Sequence, residues 1–115
     1  YTRSGGRLVE NDAVAMVRAF ADAAHARGLA IAQKNASELV PRRAEMGTDF
    51  VVAESCNEFT ECDAYIAGYG THVLMIEYAQ GDFDAGCAAY PAYSIVLRDV
   101  NLTTPGNGAY VYDGC

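Results

Sequence analysis

Four short apolar runs punctuate the chain, and each gives way to polar or charged residues at its C-terminal end. Residues 29–32 lead into Gln33-Lys34-Asn35, residues 50–53 into Glu54, residues 73–76 into Glu77-Tyr78, and residues 94–97 into Arg98-Asp99. The runs begin 21 to 23 residues apart. Continuous apolar runs of this length, bounded by turn residues, predict buried strands, and the lack of alternation predicts that both faces of each strand are covered.

Helical patterns fill the intervals. Val14, Val17, Ala21 and Ala24 recur at three- and four-residue spacing, with Phe20 beside them, after an Asn11-Asp12 pair suited to capping. Arg27 and Gly28 supply a cationic last turn and a stop. Residues 36–46 predict a short helix interrupted by Pro41. Residues 60–67 predict another, closed by Gly68 and Gly70, and residues 84–89 a weak one. The first ten residues and the glycine- and proline-bearing tail from Asn101 to Cys115 read as loops.

Strands alternating with helices imply a parallel sheet joined by crossovers, either doubly wound or closed into a barrel. No GxGxxG or P-loop pattern follows any strand, so nucleotide folds lack local support. Four βα units are half of a (β/α)8 TIM-type barrel, and the expectation is a half barrel: residues 1–115 as the C-terminal half of one barrel domain. Length agrees with one small domain, and the start at Tyr1 reads as a fragment of a longer chain.

Composition narrows the partners. Eight basic and 15 acidic residues give a net charge of −7. The cations are scattered, with only Arg42-Arg43 adjacent, which argues against nucleic acid. No apolar run approaches the roughly 18 residues a membrane span needs. An acidic surface attracts cationic ligands, which suits an amino-sugar polymer, and it also simply confers solubility. Cys56, Cys62, Cys87 and Cys115 allow three pairings, of which Cys56–Cys62 with Cys87–Cys115 is favoured; free buried thiols are the alternative. Their spacing does not match zinc motifs, and disulfides fit an exported protein. No metal and no cofactor is expected.

The polar strand ends converge on one rim, the rim that binds substrate in parallel α/β folds. Glu54 stands out, because a carboxylate directly after an apolar run should be desolvated and its pKa raised, as a general acid requires. Glu77 shares that environment, and Asp99 shares it more weakly. Lys34 could hold a carboxylate ionised or bind a sugar hydroxyl. Glu58 and Glu61 read as solvated loop charges, and His25 and His72 as structural. Tyr65, Tyr69 and Tyr78 could stack on sugar rings or pack in the core. No HExxH or GxSxG motif occurs. Sequons begin at Asn35 and Asn101; the rim position of Asn35 argues against a glycan there.

Taken in order, residues 28–35 (Gly-Leu-Ala-Ile-Ala-Gln-Lys-Asn), residues 50–59 from Phe50 through Glu54-Ser55-Cys56 to Phe59, Glu61-Cys62 and Ile76-Glu77-Tyr78 resemble glycoside hydrolase family 114. The resemblance runs from about Tyr1 to Asp99. It implies a secreted β/α-barrel endo-α-1,4-polygalactosaminidase acting on galactosamine-containing exopolysaccharide. It further implies that Glu54 is one of two catalytic carboxylates, the acid/base, and that Cys56 and Cys62 are paired. The second carboxylate, an Asp, is expected just before a tyrosine matched by Tyr1. Tyr1, Lys34, Asn35, Glu77, Tyr78 and Asp99 are the expected substrate-shaping positions. On this reading the full-length parent is the hydrolase, and the fragment alone is inactive. Rival readings are a non-catalytic carbohydrate-binding or matrix protein on the same scaffold and a different barrel enzyme, such as an isomerase or amidohydrolase.

Overall fold

Helix α1 (Glu10–His25) begins when the Asp12 carboxylate reaches back to accept the Val9 amide hydrogen at 2.8 Å. Asn11 and Asp12 therefore lie inside the first turn rather than before it, with Asp12 closing the reciprocal half of a capping box. At the other end the Arg27 guanidinium donates to the Ala23 carbonyl at 2.8 Å, and Gly28 takes φ +69° to turn the chain. Val14 and Ala21 are buried; Phe20 faces solvent. His25, expected within the helix, is its last residue and bonds Asp49 at 2.9 Å.

The computed structural model describes all residues from 1 to 115. After α1 come β1 (Ala32–Lys34), a 3₁₀ helix (Ser37–Arg42), α2 (Arg43–Met46), β2 (Phe50–Glu54), α3 (Cys62–Tyr69), β3 (Val73–Glu77), α4 (Gln80–Ala89), β4 (Ser94–Arg98) and β5 (Tyr112–Gly114). Three sequence expectations shift here. The first strand is the polar end of its run, because pairing with β2 starts only at Ala32 opposite Phe50; Leu29 is exposed. The single helix expected over 36–46 is split into a 3₁₀ and an α segment, with Pro41 and its missing N–H inside the first. The tail also contains a strand: β5 adds antiparallel to β4, and Cys87–Cys115 ties it to α4.

The sheet order is β1-β2-β3-β4-β5, with the first four strands parallel. Every crossover moves to the next strand in the same direction. Doubly wound sheets reverse at a switch point, and this one does not, so the chain forms half of a β/α barrel.

Register decides which face each side chain occupies. Val51, Ala53, Val73, Met75, Ile95 and Leu97 point toward the helices and form the main core with Tyr65, Tyr69 and Phe83. The other face carries Val52, Glu54, Leu74, Ile76 and Val96 in cross-strand register. That face has no helix over it, and Leu74 is 45% exposed. The expectation of two covered faces therefore fails for this chain. The uncovered side chains are those that fill the interior when a barrel closes. A second cluster of Val14, Leu39 and Met46 joins α1 to α2.

Candidate active site at the strand ends

The strand ends on either side of β2 deliver donors to one carboxylate. Glu54, the last residue of β2, accepts from the Tyr78 hydroxyl at 2.5 Å on Oε1. On Oε2 it accepts from the Asn35 amide at 3.0 Å and from the Lys34 ammonium. The Asn35 side chain also accepts the Glu54 backbone N–H at 2.7 Å, so one amide grips both ends of the residue. Lys34 and Asn35 leave β1, and Tyr78 follows β3.

The electrostatics reverse the sequence expectation. Lys34, then Tyr78, hold the Glu54 carboxyl below the usual carboxylate range, and Asn35 adds to this, outweighing the opposing effect of burial. Glu54 is therefore set up as an ionised carboxylate rather than as a desolvated acid. The Tyr78 hydroxyl is pushed up to about 12 by burial and by its bond to Glu54, which keeps it a neutral donor.

Local backbone strain shapes this rim. Asn35, Ala36 and Ser55 all take left-handed φ values of 52°, 60° and 55° without being glycines. Each such residue costs on the order of 1 kcal/mol or more, and it persists only where neighbours over-determine it. Gln33 does this for the first two: its buried side-chain nitrogen donates to the carbonyls of Asn35 (2.7 Å) and Ala36 (2.9 Å). Behind it the Tyr69 hydroxyl donates to Gln33 Oε1 at 2.6 Å. Tyr69 has one hydroxyl hydrogen, so Thr48, 2.6 Å away, is the donor in their bond.

The other expected rim residues separate from Glu54. Glu54 pairs in register with Ile76, so Glu77 points to the opposite face, fully buried against the helices. One Glu77 oxygen accepts the Asn57 backbone N–H (3.0 Å) and side chain (2.9 Å), and the other has no partner. It therefore supports the loop after β2 and faces away from this rim. Asp99 is likewise engaged: the Thr103 amide, and then Val111, hold its carboxyl below its ordinary range and tie down the tail. Tyr1 packs on the α1–α2 cluster, its hydroxyl raised by burial and by Glu38. Tyr65 and Tyr69 are core residues, leaving Tyr78 as the tyrosine at the site. Sequence reasoning overlooked the roles of Gln33, Thr48 and Asn57. The parity of the paired strands was the available signal for separating Glu54 from Glu77.

Cys56 and Cys62 form a disulfide, as do Cys87 and Cys115, and no cysteine is free. The Cys56 and Cys62 sulfurs lie close to the Glu77 carboxylate. Bonded to each other, they are not thiolate ligands for a metal. The surface concavities lie elsewhere, one between Val40, Arg43 and Gly68 and the other at the N-terminal strand ends beside Asp49 and His72. The Glu54 rim lies instead on the open sheet face. No helix is long and apolar enough to cross a membrane.

Comparison with known proteins agrees with the half-barrel fold. The structure of Aspergillus fumigatus Ega3 in complex with galactosamine is similar, with a TM-score of 0.75 and 28% identity over 96% of this chain. The chain spans 49% of that protein, about half its length. No curated protein matches. The sequence model of glycoside-hydrolase family GH114 matches residues 1–115, and the chain belongs to that family.

Proposed function

We propose that this chain supplies the C-terminal half of a barrel that hydrolyses α-1,4-linked galactosamine-containing exopolysaccharide from within the polymer, with Glu54 as one of its two catalytic carboxylates. The observation that carries this reading is the convergence of Lys34, Asn35 and Tyr78, from two neighbouring strands, on the Glu54 carboxylate. Such a carboxylate is held in one orientation and one charge state on the face that lines a barrel's interior. Family membership and the galactosamine bound by the Ega3 structure support the substrate class.

Glycosidic cleavage uses two carboxyl groups in different protonation states around an oxocarbenium-like centre. Glu54, stabilised as the anion, fits the member that attacks the sugar or takes a proton from water. It could act as an acid only once Lys34 leaves Oε2, and Lys34, 61% exposed, is free to swing away. The partner carboxylate is assigned to the remainder of the barrel in the full-length protein, ahead of Tyr1. Asn35 and Tyr78 orient Glu54. The two disulfides support an extracellular setting.

The test uses the full-length protein on galactosamine polymer. Glu54→Gln should retain polymer binding and lose cleavage. A wild-type protein that binds the polymer without releasing oligosaccharides would instead support a carbohydrate-binding role.

A further inference from the structure

We propose that Gln33 is a positioning residue for Glu54, because its buried amide ties down the two left-handed residues, Asn35 and Ala36, whose turn presents Asn35 to the carboxylate. The inference rests on the proposed role of Glu54 and extends it one layer into the core.

Strand β1 buries a side chain of an unexpected kind. Gln33 is a buried polar residue on the helix-facing side, 6% exposed, where an apolar side chain would pack without needing partners. All its hydrogen-bonding atoms are used. Its nitrogen has two donor hydrogens and finds two acceptors, the carbonyls of Asn35 and Ala36. Its oxygen accepts from Tyr69, which accepts in turn from Thr48. Buried polar groups are costly unless fully satisfied, and this chain of bonds is fully satisfied from Thr48 to the rim.

What the network holds is a turn that an unaided backbone avoids. Two consecutive non-glycine residues with φ near 52° and 60° need an external restraint. The product of that restraint is the Asn35 amide, which contacts both the Glu54 backbone N–H and Oε2. Without Gln33 the turn relaxes and the amide moves, so that Glu54 loses a donor to its charged form. Gln33 itself does not touch the carboxylate. Its effect passes through Asn35.

The charged and titratable groups facing Glu54 are Lys34 and Tyr78, and Arg98 lies near enough to act on Tyr78. They remain in place in the variants chosen here. The experiment follows the titration of the Glu54 carboxyl carbon by NMR in the full-length protein, with the resonance assigned by its loss in Glu54→Gln. Gln33→Met keeps the volume and removes both donated bonds. Tyr69→Phe keeps the ring and removes the bond that orients Gln33. Ile95→Val, in β4 and outside the hydrogen-bonded network, serves as a core control.

Both network variants should raise the Glu54 midpoint by about half a pH unit or more, while Ile95→Val leaves it in place. A wild-type midpoint in folded Gln33→Met and Tyr69→Phe overturns the proposal. So does loss of folding in Gln33→Met combined with an unshifted midpoint in Tyr69→Phe, and so does an equal shift in Ile95→Val. Failure of the underlying functional reading looks different: Glu54→Gln in the full-length protein then keeps its hydrolytic rate, whatever the midpoints do.

Discussion

Asn35 holds Glu54 at two points, accepting its backbone N–H at 2.7 Å and donating to its carboxylate at 3.0 Å. Few substitutions are as informative as Asn35→Asp, which keeps the acceptor and replaces the donor with a second negative charge. The Glu54 pKa should rise in that variant and hydrolysis by the full-length protein should fall about tenfold or more. Parallel titration and rate measurements check both effects.

Lys34 acts on the same carboxylate with a definite pH sign. A depressed folded-state pKa contributes stability above the unfolded carboxylate value, and that contribution disappears as pH falls through the folded value. Lys34→Met should therefore lower stability near neutral pH, and the difference should shrink as pH falls into the acid range and Glu54 becomes protonated. Because Lys34 is 61% exposed, the loss should be no more than about 1 kcal/mol. Urea unfolding at neutral and at acid pH tests this.

Glu77 should matter for stability rather than for substrate. Glu77→Ala leaves two Asn57 N–H groups without their buried acceptor and opens a cavity, costing about 2–4 kcal/mol. Gly86 guards the same contact, since a Cβ there would lie 2.5 Å from the Asn57 amide nitrogen. Gly86→Ala should accordingly cost about 1–3 kcal/mol. Denaturant midpoints of the two variants, compared with their double mutant, should show coupling through Asn57.

Reduction should affect the two disulfides unequally. Cys87–Cys115 spans 28 residues and Cys56–Cys62 only 6, so the loop-entropy model gives about 3–4 kcal/mol for the former and about 2 for the latter. Thermal unfolding of Cys87→Ala/Cys115→Ala and Cys56→Ala/Cys62→Ala pairs would reveal the order, together with loss of β5 pairing in the first.

Much of this fold was legible because apolar runs ending in polar residues report strands in a parallel sheet, and β2, β3 and β4 fall within a residue of their expected places. The short β1 was displaced because propensity says nothing about where pairing with a neighbour begins. β5 was invisible: an exposed three-residue strand has no periodicity, and its existence depends on β4 and on Cys115. At the site, Glu54 and its rim neighbours Lys34, Asn35 and Tyr78 could be named from position alone. The direction of the Glu54 pKa could not, because burial argued for raising it, and only geometry reveals three donors outweighing that burial. Glu77 had the same sequence surroundings as Glu54 and the opposite fate, decided by a register that places Glu54 beside Ile76.

The central claim is that Glu54 performs chemistry. Its most direct test is the turnover of full-length Glu54→Gln on galactosamine polymer, measured as reducing ends released at saturating substrate. The account predicts a fall in kcat of about two orders of magnitude or more with polymer binding retained. A rate within about twofold of wild type would contradict it, because a positioned catalytic carboxylate contributes far more than that.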